Sequence, residues 1–206
     1  MLGLDPTHLV NLAVALIAAA TLHEFAHAYV ADRLGDTTAR ALGRLTLNPL
    51  AHLDIVGTLM ILVAGFGWAK PVPINPANFS NWRRDTILVA VAGPLANVTL
   101  LFLFGLPLKI GVVDIDVPLG QLLLTCVYIN AMLAVFNLIP VPPLDGSKVL
   151  VGLLPPRLAI GYARLEPFGV IILLALIFLR LLSVIIVPPM QWLITEATGS
   201  PFFGLF

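Results

Sequence analysis

Charge is what this sequence has least of. Only 11% of its 206 residues are Asp, Glu, Lys or Arg, where soluble proteins carry about a quarter. With 59% hydrophobic residues and a mean hydropathy of +1.01, the chain cannot cover a water-soluble surface, and it reads as an integral membrane protein whose first partner is the lipid bilayer. Neither sign of charge is in excess, so nucleic acid is not an expected partner. Cysteine is nearly absent too. The lone Cys126 excludes an internal disulfide and a cysteine zinc cluster, and its apolar setting suits a small packing residue. No Lys or Arg precedes Arg33; the first apolar run therefore lacks the basic start of a cleavable signal peptide and is expected to stay in the mature protein. With no repeat or low-complexity segment, residues 1–206 are expected to form a single integral-membrane domain.

Long apolar runs are what the chain does have. His8 or Leu9 to Ala31, Thr86 to Leu108, Leu119 to Ile139 and Phe168 to Val187 are each long enough to cross a hydrocarbon core of about 30 Å. Pro188-Pro189 is expected to end the last of them, leaving Met190 to Phe206 as an interfacial tail. A shorter piece, Ile55 to Gly67, would rise only about 20 Å as a helix and runs into a proline-rich stretch, Trp68 to Pro76, that reads as extended. The distribution of basic residues decides whether it crosses. If it dips in and returns, Arg33, Arg40, Arg44, Lys70, Arg83, Arg84, Lys148, Arg157 and Arg164 share one side and Lys109 stands opposite, with Arg180 inside the last span. If it crosses, the bias nearly vanishes. Because basic loops stay cytoplasmic, the expected architecture is an all-α polytopic membrane protein with the N-terminus outside. It has about four transmembrane helices plus a short membrane-dipping hairpin or helix at 55–76.

Inside the first span lies His23-Glu24-Phe25-Ala26-His27, an HExxH pattern. Residues four apart share a helix face, so His23 and His27 can offer two imidazole nitrogens to one metal ion while Glu24 stands beside them. In hydrolases of this pattern the ion is Zn2+, which polarises the scissile carbonyl and its water, and the Glu takes the water's proton. Two His and one Glu in an apolar helix are costly without such a use.

A catalytic zinc needs a third protein ligand. Asp145 is the best candidate, because the four-span topology brings the loop after the third span to the side nearer HExxH. Its surroundings are Asn137-Leu138-Ile139-Pro140-Val141-Pro142-Pro143-Leu144-Asp145-Gly146. The prolines interrupt the helix, and Gly146 permits a backbone conformation closed to other residues. Taken alone, Asp145 would read first as a helix N-cap; next to an intramembrane HExxH the ligand reading overtakes it.

The HExxH motif together with Asn137–Gly146, in the pattern NxxPxPxLDG, resembles the paired signatures of the site-2 proteases, the intramembrane zinc metalloproteases. Gly93-Pro94-Leu95-Ala96-Asn97 resembles that family's GPxxN element. The resemblance implies one Zn2+ per chain held by His23, His27 and Asp145, with Glu24 as catalytic base. It further implies hydrolysis of a peptide bond in or near a transmembrane segment of a membrane-protein substrate. No PDZ-like insertion separates Gly93 from Asn137, and the chain reads as a minimal core form.

Asn137 is assigned either to the oxyanion or substrate backbone, as the resemblance suggests, or to carbonyls freed near Pro140. Asn97 is assigned to substrate or to bracing another group near the site. Pro71 and Pro73 remove the N–H groups from one edge of an extended segment, while Val72 and Ile74 keep theirs on the other, able to pair with an unwound substrate; alternatively the prolines only stiffen a connection. A metal transporter would carry polar groups along a path across the bilayer, whereas these cluster toward one leaflet. An inactive scaffold would have no need of an intact His23, Glu24, His27 and Asp145. The expected setting is a prokaryotic cytoplasmic membrane, with the active site toward the cytoplasm.

Overall fold

The structure, a computed structural model, describes residues 5–54, 57 and 70–200. Among these residues the regular structure is helical. Helix α1 (Pro6–Arg33) opens with Pro6 in its first turn and the Asp5 carboxylate accepting from the Thr7 N–H at 3.1 Å, a capped and pre-set start. Helix α2 (Trp82–Lys109) is capped by the Asn81 side chain and carries Pro94 and Pro107 within it. Helix α3 (Pro118–Asn137) follows, and then four shorter elements: α4 (Asp145–Leu153), α5 (Pro156–Ala163), α6 (Gly169–Phe178) and α7 (Leu181–Thr198). Five stretches among the described residues are long and apolar enough to cross a membrane: α1, α2, α3, Pro156–Phe178 and α7.

α1, α2, α3 and α7 form the packed body. Leu101 of α2 and Val127 and Ala131 of α3 enclose Met190, Ile194 and Ala197 of α7. On the other flank Ala15 and Ala19 of α1 meet Cys126 and Ile129 of α3, which makes Cys126 the packing residue its setting suggested. Small side chains at these contacts let the helices approach closely, the usual basis of helix association where lipid offers no hydrophobic drive.

The last packed helix is displaced from its expected place. The run Phe168–Val187 is broken at Arg180, which adopts a left-handed conformation (φ 57°) and starts α7, so Arg180 sits at a helix junction and not within a span. Pro188 and Pro189 lie inside α7. Residues 190–198, expected as an interfacial tail, are thus part of the bundle core. A proline deletes one backbone hydrogen bond, and neighbouring helices can make up the loss in an apolar setting. Burial of Met190, Ile194 and Ala197 outweighs it here. Residues 201–206 lie outside the described set, as does the 55–67 dip apart from Gly57.

Between α1 and α2 the chain is tied down by one carboxylate. Asp36 is fully buried and accepts from the Thr38 N–H and hydroxyl, from the Asn75 N–H at 2.7 Å and from Asn78 Nδ2 at 2.7 Å. Arg44 donates to the Lys70 carbonyl at 2.6 Å and the Lys70 N–H to the His52 carbonyl at 2.8 Å. Residues 70–75, which form no helix, are thereby held along the end of α1, with Val72 packed on Ala28 and Ala39. Burial alone would raise the Asp36 pKa, but the hydrogen bonds from Thr38, Asn75 and Asn78 outweigh it and hold the carboxyl below the ordinary value of an aspartate.

Asp36→Ala, which leaves the Asn75 N–H without its charged acceptor, is expected to lower unfolding stability by about 3 kcal/mol at neutral pH. A depressed native pKa contributes stability that is complete above the unfolded value and fades as pH falls through the native one. The gap between wild type and variant should therefore close below about pH 4. Thermal unfolding across pH 3 to 7 checks both; a gap independent of pH would remove the ion from the account.

Candidate metal centre

Among the buried residues of α1 are Ala19, His23, His27 and Ala31, four apart throughout. That spacing puts both imidazoles on the face turned to α2 and α3. Asp145 arrives from elsewhere as the first residue of α4, after the proline-rich loop. Gly146 is ordinary helical backbone, so its role differs from the expected one. A Cβ there would overlap the Leu138 carbonyl, and it is this close approach, not a left-handed conformation, that calls for glycine.

The three side chains meet. His23 Nε2 and His27 Nε2 each lie 3.1 Å from Asp145 Oδ2 and 3.0 Å from one another, and all three residues are buried. His27 Nδ1 is 2.7 Å from the Val89 carbonyl. A carbonyl only accepts, so Nδ1 carries a proton, and in the neutral imidazole Nε2 then presents a lone pair. His23 Nδ1 likewise donates to Asn97 Oδ1 at 2.6 Å. Two nitrogen lone pairs and a carboxylate oxygen therefore face one point without a proton to share, an arrangement that is repulsive unless a cation occupies it. Bonds of about 2.0–2.1 Å to a tetrahedral zinc put ligand atoms roughly 3.3 Å apart, close to the triangle seen.

The space beside the triangle is kept open. A Cβ on Gly93 of α2 would overlap His27 Nε2 and lie 2.6 Å from His23 Nε2, so only a bare Cα fits against the group. This assigns a physical use to the glycine of the Gly93–Asn97 stretch. Lys148, one turn along α4, places Nζ 3.3 Å from Asp145 Oδ1, the oxygen turned away from the histidines.

Glu24 is half-buried next to the group, and its Oε2 accepts from the Val72 N–H at 2.9 Å. The edge of the 70–75 segment that was expected to stay able to pair thus has its Val72 N–H engaged by Glu24. Asn97 is fully buried. Its oxygen takes the His23 proton and its nitrogen donates to the Ala19 carbonyl and to Asn130 Oδ1. It stands behind His23, with its oxygen and its nitrogen both committed inside the bundle. Asn137 is not brought to the group: its Nδ2 donates to the Leu133 carbonyl one turn back at 3.0 Å. His52 is buried and donates from Nε2 to the Thr46 carbonyl at 2.8 Å, apart from the metal set. Asn130 was missed altogether in the sequence, and for Val72, whose N–H was left to pair with substrate, the partner Glu24 was missed. Asn130 had a signal, being an amide in the middle of an apolar span; the Val72 contact had none.

Comparison with known proteins agrees with this geometry. Residues 109–180, which include Asp145, match the family described as Peptidase family M50. The chain is 40% identical over 187 residues to the Bacillus subtilis protein named "Putative zinc metalloprotease YwhC", covering 86% of this chain and 84% of the relative. It is 31% identical over 160 residues to "Putative zinc metalloprotease Rip2" of Mycobacterium tuberculosis, covering 75% of this chain and 61% of that one. For the Rip2 of Mycolicibacterium smegmatis the identity is 32% over 164 residues, covering 76% and 62%. The chain thus spans less than two thirds of the Rip2 proteins' length. No solved structure matches the chain.

One metal ion per chain is expected in the purified protein. His23→Ala and Asp145→Ala should each abolish stoichiometric binding. Gly93→Val, which leaves every ligand in place but fills the space beside them, should weaken it at least about tenfold. Elemental analysis and chelator competition measure these; full metal content in Asp145→Ala would place the third ligand elsewhere.

Proposed function

The chain belongs to peptidase family M50, the site-2 protease family, and we propose that this zinc metalloprotease hydrolyses a peptide bond in or near a transmembrane segment of a membrane-protein substrate. The observation that carries this reading is the convergence of His23 Nε2, His27 Nε2 and Asp145 Oδ2 with Glu24 alongside, where the two histidines and the glutamate lie on a helix apolar enough to span a bilayer. A donor set of two neutral imidazoles and one carboxylate is that of a catalytic zinc site with a position left for water. When bound, zinc supplies a Lewis acid that makes water acidic and polarises the scissile carbonyl.

The chain's own residues do the rest. His23, His27 and Asp145 hold the ion, the histidines with Nδ1 protonated and Nε2 free to bind. The Val72 N–H holds Glu24 Oε2, which leaves Oε1 to take a proton from the attacking water and pass it to the leaving amine nitrogen. In this geometry Asn137 turns its Nδ2 back to the Leu133 carbonyl, and a role at the oxyanion or substrate backbone would require that amide to turn toward the site. A buried, helix-lined site admits a peptide bond only after the substrate helix has unwound locally, and residues 70–75 are the non-helical backbone nearest to Glu24.

Orientation follows from charge. Arg33, Arg40, Arg44, Lys70, Arg83 and Arg84 lie at the end of the bundle formed by the C-terminus of α1 and the N-terminus of α2. Lys109 lies at the other end, where its Nζ donates to the Glu196 carbonyl. Arg180, moved to the start of α7, joins the first group. The positive-inside rule then puts the metal end toward the cytoplasm of a prokaryotic cell.

Glu24→Gln should retain one zinc per chain while cleavage of a transmembrane substrate in reconstituted liposomes falls by about 10²–10⁴. Undiminished cleavage would end the assignment of Glu24 as base. Loss of zinc in the same variant would make it a ligand.

A further inference from the structure

His27 has its tautomer fixed by a backbone carbonyl, but His23 faces a side-chain amide, and an amide can present either its oxygen or its nitrogen. Which end it presents is decided farther back. Asn130 Nδ2 lies 2.8 Å from the Cys126 carbonyl, and because a carbonyl only accepts, that end must be the nitrogen. Asn130 therefore turns its oxygen to Asn97, whose Nδ2 donates to it at 2.9 Å and, at 3.3 Å, to the Ala19 carbonyl. Asn97 must then turn its oxygen to His23, and His23 Nδ1 must donate, at 2.6 Å. Each link is forced by the one before it, from α3 through α2 to α1.

We propose that Asn130 is a positioning residue for the metal centre. Acting through Asn97, it holds His23 in the tautomer whose Nε2 lone pair faces the ion. Were Asn97 reversed, its N–H groups would meet His23 Nδ1, the imidazole proton would move to Nε2, and that nitrogen could no longer bind. Asn97 and Asn130 are both essentially inaccessible, at 0% and 1% exposure, so water does not correct the orientation. The inference rests on the reading of His23, His27 and Asp145 as zinc ligands. The plain alternative is that the two amides only join helices across an apolar interface.

The two accounts order the variants oppositely. Asn130→Asp keeps an acceptor toward Asn97 and is expected to bind zinc within about threefold of wild type, whereas Asn130→Leu removes the acceptor. Because the Ala19 carbonyl still favours the same Asn97 orientation, Asn130→Leu should lose about tenfold, the lower end of the range for outer partners of metal ligands. If Asn130 only packs, the apolar Leu keeps zinc affinity and the buried acid loses it. Chelator competition on the full chain in detergent reads this order. A second measurement needs no Asn130 variant: nitrogen NMR of the metal-free chain labelled at histidine, with His23 assigned by its absence in His23→Ala. It should show Nδ1 protonated, and a neutral His23 protonated at Nε2 alone overturns the proposal. If His23→Ala retains zinc, the metal assignment falls and this inference with it. If His23→Ala loses zinc while Asn130→Leu binds as tightly as wild type, only the role of Asn130 falls.

Discussion

Three acceptor atoms with no proton between them are the constraint around which this bundle is built. His23 Nε2, His27 Nε2 and Asp145 Oδ2 stand 3.0–3.1 Å apart in a setting where an uncompensated buried charge costs several kcal/mol. A bound zinc reverses that balance, since the affinity of such ions for protein donor sets reaches about 10 kcal/mol or more. Two of the ligands are four apart on one helix, so their mutual placement is fixed by α1 itself. The third comes from a different part of the chain, and most of the fold's local detail serves to deliver it. The proline-rich loop ends α3, Gly146 lets that loop close over the Leu138 carbonyl, and α4 starts on Asp145.

The same low-dielectric setting explains why the polar groups around the ligands form closed chains. An unsatisfied amide in an apolar bundle is expensive, and a satisfied one is rigid. Around the histidines, the Val89 carbonyl pairs with His27 Nδ1, and each side-chain oxygen and nitrogen of Asn97 and Asn130 has a partner among His23, one another and the carbonyls of Ala19 and Cys126. Among the described residues, the buried side-chain atoms left without a hydrogen bond belong to Asp32, Arg44, His52 and Thr86. All four lie toward the connection between α1 and α2, not among the metal donors. Rigidity is concentrated where a ligand's tautomer and direction must be held.

What could be read from sequence, and what could not, follows from how local each signal is. HExxH is complete within five residues, and the runs that became α1, α2 and α3 are bounded by charge and turn residues, so motif and spans were legible. Asp145 was legible only jointly, since the charge bias set the topology and the topology put its loop beside α1. The break at Arg180 was not, because a single Arg in the otherwise apolar run Phe168–Val187 is equally compatible with a charged side chain reaching out of a continuous span, and no local signal distinguishes that from a helix junction. Pro188-Pro189 pointed the wrong way, as the contacts of Met190, Ile194 and Ala197 override a local stop signal. Asn130 was visible as an intramembrane amide, but its link to His23 passes through a second residue on a third helix, and no spacing rule carries that. Val72 reaches Glu24 through its backbone N–H, which has no sequence signature at all.

Access to the site is limited by what already surrounds it. α2 closes one side with Gly93, Val89 and Asn97, and α3 stands behind Asn97, so a polypeptide cannot approach from there without dismantling the bundle. The neighbours less deeply buried are Glu24 and Lys148, which border residues 70–75 and the first turn of α4. Neither border is a transmembrane helix wall. The non-helical segment is held by Asp36 at one end and by Arg44 at the other, so it can present backbone at the depth of Glu24 while remaining fixed in place. A helical substrate offers no free peptide group to such a border, whereas an unwound one does. On the proposed reading, an extended peptide would reach the ligands from the side away from the bundle, and the Glu24–Val72 contact marks where the two sides meet.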